Sequence, residues 1–334
     1  MDVKSYVERF TNHPILFIGT GFSMRYIKNS FSWDKLLEHI ANELKGDENY
    51  YLDLKYKYQN YDQYNYPMIA TSIEREFDKI LMEEKPQKFN SINEQFYDYI
   101  RNNISVSRFK IYLSTLLNEY EIKEDMHREI VELKKVRKNI SSIITTNYDT
   151  FLEDIFEFNP LIGNEILLSN PYGSVYKIHG CVKQPDKIII TQEDYEKFEN
   201  RYELIRAQLL SLFIHNPIIF LGYSVSDDNI KKLLKTIFSY VNPKTVEAEK
   251  IRNNFLLVEY LEGSQNTTIT DHDIDMEGFP TIRINKLKTD NFLALYQELS
   301  DLILPISAMD IRKVQSIVQD IYKGNTGIQV SITE

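Results

Sequence analysis

Hydrophobic positions along this chain fall into two alternating kinds of run. Short unbroken apolar stretches bounded by turn residues read as strands buried on both faces. They are Ile15–Ile18 between Pro14 and Gly19, then residues 139–146 (NISSIITT), 174–180 (SVYKIHG), 187–192 (KIIITQ), 217–224 (PIIFLGYS), 254–260 (NFLLVEY) and 281–286 (TIRINK). Between several of them, apolar residues recur at the helical spacing of three and four. Ser32 is placed to cap one such helix, with Trp33, Leu36, Leu37, Ile40, Ala41 and Leu44 along one face. Ile230, Leu233, Leu234, Ile237, Phe238 and Val241 trace another. Strands alternating with helices predict an α/β fold built on a doubly wound, mainly parallel sheet. Its strand order is not legible.

Residues 47–138 break the alternation. They are polar, tyrosine-rich and helical in pattern, and read as a helical insertion within a domain spanning 1–310. The stretch 50–67 holds seven of the 23 tyrosines. Interleaved aromatics and lysines also suit a nucleic-acid platform, but this stretch carries about as many acids as bases, which favours amphipathic packing. Residues 311–334 read as a C-terminal tail or linker, and the pattern over 307–325 gives it a helical apolar face for a further domain or a partner.

Composition narrows the classes. With 43% hydrophobic and 26% charged residues the chain is an ordinary globular one. No apolar run approaches the roughly 20 residues that cross a bilayer, and Met-Asp-Val-Lys-Ser lacks a secretory profile, so a cytoplasmic protein is expected. The single cysteine excludes an internal disulfide and a four-cysteine zinc site. A net charge of −10 argues against direct nucleic-acid binding, yet leaves room for a local anion site made of backbone N–H groups.

Four strand ends carry the candidate chemistry. Gly19-Thr20-Gly21 follows the first strand as a dinucleotide loop would, one glycine for the turn and one for close approach of a pyrophosphate. The third glycine of the hydride-transfer fingerprint is replaced by Met24, so a plain tight turn is the competing reading. Thr145-Thr146-Asn147-Tyr148-Asp149, His179-Gly180 and Gly222-Tyr223-Ser224, the last followed by Asp227-Asp228-Asn229, end three more strands. Each also has a structural explanation: Asn147, Asp149, Ser224 and Asp227 as helix caps, His179 as a core histidine. In a doubly wound sheet, however, such ends converge on one crevice. Other constellations fail. Asp271, Asp273 and Asp275 alternate like the start of a calcium loop, but Met276 occupies its glycine position and no glutamate its twelfth. The six histidines are scattered, there is no Gly-x-Ser-x-Gly elbow, and Cys181 reads as a small buried thiol.

The set Gly19-x-Gly21-x-Ser23, Thr146-Asn147-x-Asp149, His179-Gly180 and Gly222-x-Ser224 resembles the sirtuin family, and more narrowly the sirtuin-like domains of bacterial anti-phage defence proteins. The resemblance runs from about residue 13 to 260. It implies a Rossmann-like sheet with a smaller helical module, and NAD as the ligand and substrate. By that likeness Gly19, Thr20 and Gly21 hold the pyrophosphate with Ser23 nearby, and Asn147 holds the ribose or the attacking water. Asp149 supports the nicotinamide side, His179 is the general base, and Gly222 and Ser224 line the adenosine side. Deacylating sirtuins carry four zinc-binding cysteines and a Pro-Asp-Phe-Arg after the glycine bend. Both are missing here, no metal is expected, and Ser32-Trp33-x-x-Leu36-Leu37 is similar to the defence branch. The implied activity is an NAD glycohydrolase that releases nicotinamide and ADP-ribose and depletes NAD in defence. A non-catalytic NAD or ADP-ribose sensor and an NAD-dependent protein deacylase are the alternatives. The family also implies a homo-oligomer and a trigger, either a phage protein or a partner ATPase.

Overall fold

A computed structural model describes residues 1–60, 63–168, 172–201, 203–224, 252–276 and 279–322, with the single positions 235, 245 and 249. The strands are β1 (Ile15–Ile18), β2 (Gln59–Asn60), β3 (Gln63–Tyr64), β4 (Ile143–Thr145), β5 (Asn159–Ile162), β6 (Ser174–Lys177), β7 (Ile218–Leu221), β8 (Phe255–Tyr260), β9 (Thr270–Met276) and β10 (Phe279–Thr289). Eight of them form one sheet in the order β5-β6-β4-β1-β7-β8-β10-β9, with β2 and β3 pairing apart. All neighbours run parallel except β9 against β10. The central order β6-β4-β1-β7-β8-β10 is the doubly wound pattern, with chain direction reversing at β1. The Rossmann-like, mainly parallel α/β reading therefore holds.

Alternation along the strands divides the sheet's two faces. Leu16, Ile18, Ile143, Val175, Ile219, Leu221, Leu256 and Val258 face one core. It is covered by α1 (Val3–Val7), α2 (Thr20–Tyr26), α8 (His127–Val136), α9 (Phe151–Phe156) and the helix Phe292–Asp301. Ile15, Phe17, Ile144, Tyr176, Phe220 and Leu257 face the other core, where α11 (Glu203–His215) contributes Ile205, Leu209 and Phe213. A third core joins α3 (Trp33–Lys45), α4 (Glu48–Lys57), α5 (Tyr66–Glu83), α6 (Asn90–Arg101) and α7 (Arg108–Leu117). Ser32 caps α3 by accepting the Lys35 N–H, as its sequence position predicts. Within 47–138, α4 to α7 pack in the helical module, whereas α8 packs on the sheet. Tyrosines 51, 58, 64 and 66 are packed into or against the module's core, while Tyr56 is 85% exposed.

One expectation changes, and one rejected motif finds its place. Residues 187–192 form no strand: Pro185–Lys187 make a 3-10 turn, and Ile188 and Ile190 sink into the helical module's core. Their apolar run comes from burial between sheet and module, where the Ile189 N–H donates to the His179 carbonyl and Tyr148 OH donates to the Ile189 carbonyl. The alternating Asp271, Asp273 and Asp275 belong to the antiparallel edge strand β9. Period two puts all three on its exposed face, where Asp273 pairs with Arg283 at 2.6 Å and Asp275 accepts from Thr281. The helix traced by Ile230 to Val241 and the cap residues Asp227-Asp228-Asn229 lie outside the described residues, as does the tail beyond Tyr322. The helix Ala308–Tyr322 carries the described part of that tail.

Candidate active site

Register brings the four predicted strand ends together. Ile18 of β1 pairs with Thr145 of β4 and Leu221 of β7, and Thr145 pairs with Lys177 of β6. The residues that follow, Gly19, Thr146-Asn147, Ile178-His179 and Gly222, therefore emerge at one level on the carboxyl edge. This is the point where winding direction reverses, and where such sheets bind ligands.

Each glycine of the bend is required by a close approach. A Cβ on Gly19 would lie 2.6 Å from the Tyr223 ring, and one on Gly21 would lie 2.9 Å from the Gly222 carbonyl oxygen. Gly222 has φ +77°, and a Cβ there would meet the Phe22 nitrogen at 2.3 Å. The bend closes on the end of β7: Gly19 N–H donates to Leu221, Gly21 N–H to Gly222 and Phe22 N–H to Gly19. Three main-chain donors near the start of α2 are thus held within the chain. Thr20 is half-buried, and Gly21, Met24 and Ser224 are exposed, so these four make the solvent-facing rim.

Beneath the rim lies a buried polar group. The Asn147 amide nitrogen donates to the Gly19 carbonyl at 3.0 Å and to Ser23 Oγ at 2.9 Å. Ser23 in turn donates to Asp149 Oδ2 at 2.9 Å, while Asp149 Oδ1 accepts the Phe151 N–H. This pattern fixes the Asn147 side chain. A carbonyl is only an acceptor, and Ser23 gives its one proton to Asp149, so both neighbours demand a donor and the amide nitrogen must face them. Asn147 Oδ1 is then turned away, buried and without a hydrogen-bond partner among the described residues. An uncompensated buried carbonyl costs about 1–3 kcal/mol, and such a group at the switch point of the sheet calls for an explanation. The backbone N–H of Asn147 donates to Thr145 Oγ1, which itself donates to the Ile18 carbonyl, so the loop after β4 is tied to β1.

His179 is 5% exposed, and burial pushes its imidazole down to about 4. It is therefore neutral at pH 7, able to accept a proton at one nitrogen and donate from the other. Its ring stands edge-on to Tyr195 and Phe198 of α10 (Gln192–Arg201), with Tyr195 OH 3.5 Å from Nδ1. Trp33 of α3 packs against Tyr195 in turn, its ring centroid 6.3 Å away. The register sets His179 beside Asn147 at the sheet edge, but among the described residues its ring bonds to none of Asn147, Ser23 or Asp149. Asn147, Ser23 and Asp149 form one group; His179 belongs to the seam between sheet and helical module.

Three further residues escaped the sequence reading. Tyr223 roofs Gly19 and bonds Thr146 Oγ1 at 2.9 Å; the middle of a Gly-x-Ser triplet carries no motif signal. Tyr195 lies in a helix with no strand-end position. Lys177 is wholly buried, donating from Nζ to the Asp149 carbonyl and lying 3.1 Å from Glu153 Oε1. Its only signal is a lysine in an apolar strand. Glu153 is pushed upward by burial, against the pull of Lys177. It also lines a cleft of 720 Å³ with Tyr120, Thr150, Asp154, Cys181 and Lys183. The cleft adjoins Asp149 and Gly180 along the chain, and its volume suits a small molecule. Cys181 itself is buried and free.

Comparison with known proteins agrees with the motif reading. Residues 141–259 match the family model for a SIR2-like domain, a span containing Asn147, Asp149, His179, Gly222 and Ser224. The chain is 23% identical over 326 residues to NAD(+) hydrolase ThsA of Enterococcus faecium, covering 94% of this chain and 60% of that protein. It is 24% identical over 245 residues to NAD(+) hydrolase ThsA of Bacillus cereus (strain MSX-D12), covering 71% and 43%. Defense-associated sirtuin 2 of Bacillus subtilis matches at 26% over 139 residues, 35% of this chain and 14% of that protein. The chain thus spans less than two thirds of the length of these curated relatives. The sirtuin-like resemblance is borne out.

Proposed function

We propose that this sirtuin-like chain cleaves the bond between nicotinamide and ribose in NAD, giving nicotinamide, ADP-ribose and a proton from NAD and water. The observation that carries the reading is the buried Asn147 oxygen, oriented by Ser23 and Gly19 and left unpaired among the described residues at the switch point of the sheet. The similarity to proteins named NAD(+) hydrolase supports it.

The chemistry asks little of the protein. The nicotinamide of NAD is a cationic leaving group that departs neutral, and an oxocarbenium-like ribose remains. Orienting water and tolerating positive charge are the main tasks. Asn147 Oδ1 accepts from the water or a ribose hydroxyl, adding no net charge. A neutral His179 takes the proton as water attacks. A base held near 4 is weak, but it suits a step in which water meets an electrophile that is already cationic, and it adds no positive charge beside it. Thr20 and Gly21 take the pyrophosphate at the rim, with Gly19 beneath them, and Gly222 and Ser224 border the adenosine side. Ser23 and Asp149 serve by aiming Asn147.

In this reading 1–310 is the NAD-binding domain and 311–334 leads out of it. The chain works in the cytoplasm as a homo-oligomer in anti-phage defence, released by a phage protein or a partner ATPase. No helix among the described residues is long and apolar enough to cross a membrane. The test is to incubate the purified protein with NAD, alone and with its trigger, and to quantify products by chromatography. Equal amounts of nicotinamide and ADP-ribose are expected. Tight NAD binding with no nicotinamide release under either condition would instead identify a sensor, and turnover only with an acylated peptide would identify a deacylase.

A further inference from the structure

We propose that Lys177 is a positioning residue for this reaction: its ammonium holds the Asp149 segment so that Asn147 presents its free oxygen to the substrate. The inference rests on the NAD-cleaving reading above. It starts from a physical oddity. Lys177 ends β6 with its side chain 0% exposed, and taking an ammonium out of water costs several kcal/mol. A well-packed apolar side chain of similar volume serves stability as well or better at such a place. What the ammonium does, and a methyl group cannot, is donate.

Its contacts divide unequally. Nζ makes a hydrogen bond to the Asp149 main-chain oxygen. Toward Glu153 it makes an ion pair at 3.1 Å, yet neither Glu153 oxygen has a partner in hydrogen-bond geometry. Glu153 therefore balances the charge, and the directional bond belongs to Asp149. From there one path leads to the amide, beside the direct bond from the Asn147 nitrogen to the Gly19 carbonyl. Lys177 fixes the Asp149 backbone, the Asp149 carboxylate takes the Ser23 proton, and Ser23 accepts from the Asn147 nitrogen. The Ser23 proton is the hinge of this path, since without the carboxylate as its acceptor Ser23 could donate to Asn147 and the amide could turn over. Lys177 touches no substrate and transfers no proton; it acts through three other residues. Lys177 also pairs with Thr145 in the sheet register, at the point where the loop after β4 begins.

The test compares wild type, Lys177→Met and the double variant Lys177→Met/Glu153→Gln, the last removing both buried charges if the single variant does not fold. The first readout is steady-state nicotinamide release. The expected result is a fall in kcat of about 100-fold with the KM for NAD changed by less than about threefold, the signature of misplacement in the transition state. The second readout needs no activity: hydrogen exchange of the Asn147 side-chain amide by NMR, identified by its absence in Asn147→Asp. In wild type these protons are protected; in the folded Lys177 variant they exchange at least about tenfold faster, because the amide turns over. Retained protection overturns the proposal, whatever happens to kcat. Lost protection in a protein whose wild type releases no nicotinamide supports the positioning role while removing the reading of NAD cleavage.

Discussion

At the scale of single residues, function turns on which polar atoms are committed and which are not. Asn147 commits both amide protons and keeps its oxygen open. His179 is held neutral by burial, with consequences for pH. Nicotinamide release is expected to stay level from pH 8 to about 5 and to fall with a midpoint near 4, not near the ordinary 6.5. Stability moves in the same direction. Above 6.5 neither the folded nor the unfolded imidazole is protonated, so the group contributes no pH dependence. As pH falls from 6.5 to about 4 the unfolded chain binds a proton that the folded one refuses, and stability drops by on the order of 3 kcal/mol. Urea unfolding of wild type and His179→Phe across this range measures it, and a pH dependence identical in the two proteins would contradict the account.

At the scale of elements, the strand ends were legible where a short apolar run met a glycine or a polar triplet. β1, β4, β6, β7 and β8 all fall inside runs seen in the sequence, and β10 contains the run 281–286 and extends past it at both ends. The edge strands were not. β5 holds Asn159 and Pro160, which suit an edge and break the apolar signal, and the alternating acids of β9 imitate a metal loop. The false strand at 187–192 shows the converse, since burial between two bodies makes a run apolar without any ladder. The meaning of the glycines also needed three dimensions. Sequence assigns them to a phosphate, whereas the packing adds their approach to Tyr223 and Gly222. This yields a prediction for the loop after β7. Gly222→Ala puts a Cβ into the Phe22 backbone at a positive φ, so a loss of at least about 1–3 kcal/mol is expected. Gly46→Ala shares the positive φ but has open space around it, so it should lose only the smaller conformational term. Thermal melts of the two variants measure the difference, and equal melting temperatures would refute the close packing.

At the scale of the whole molecule, two bodies meet over one edge. The sheet supplies Asn147, and the helical module closes over His179 through α10, Tyr195 and Trp33. Lys110 of α7 joins the start of α10 through Asp194 at 2.6 Å, so the seam is built from both sides. That division was only half readable, because the insertion is visible as a change of pattern while its partner surface is not. The global charge of −10 also has a consequence. A labelled DNA duplex at about 0.15 M salt should not be retained, and binding that weakens steeply with added salt would show a basic surface that the composition does not suggest.

The most direct measurement is nicotinamide release by wild type and Asn147→Ala, with NAD affinity and melting temperature recorded for both. The account predicts a loss of about 100-fold or more in turnover while the fold is kept, because the open amide oxygen is what orients the reacting groups. Asn147→Ala turning over NAD at the wild-type rate would contradict it.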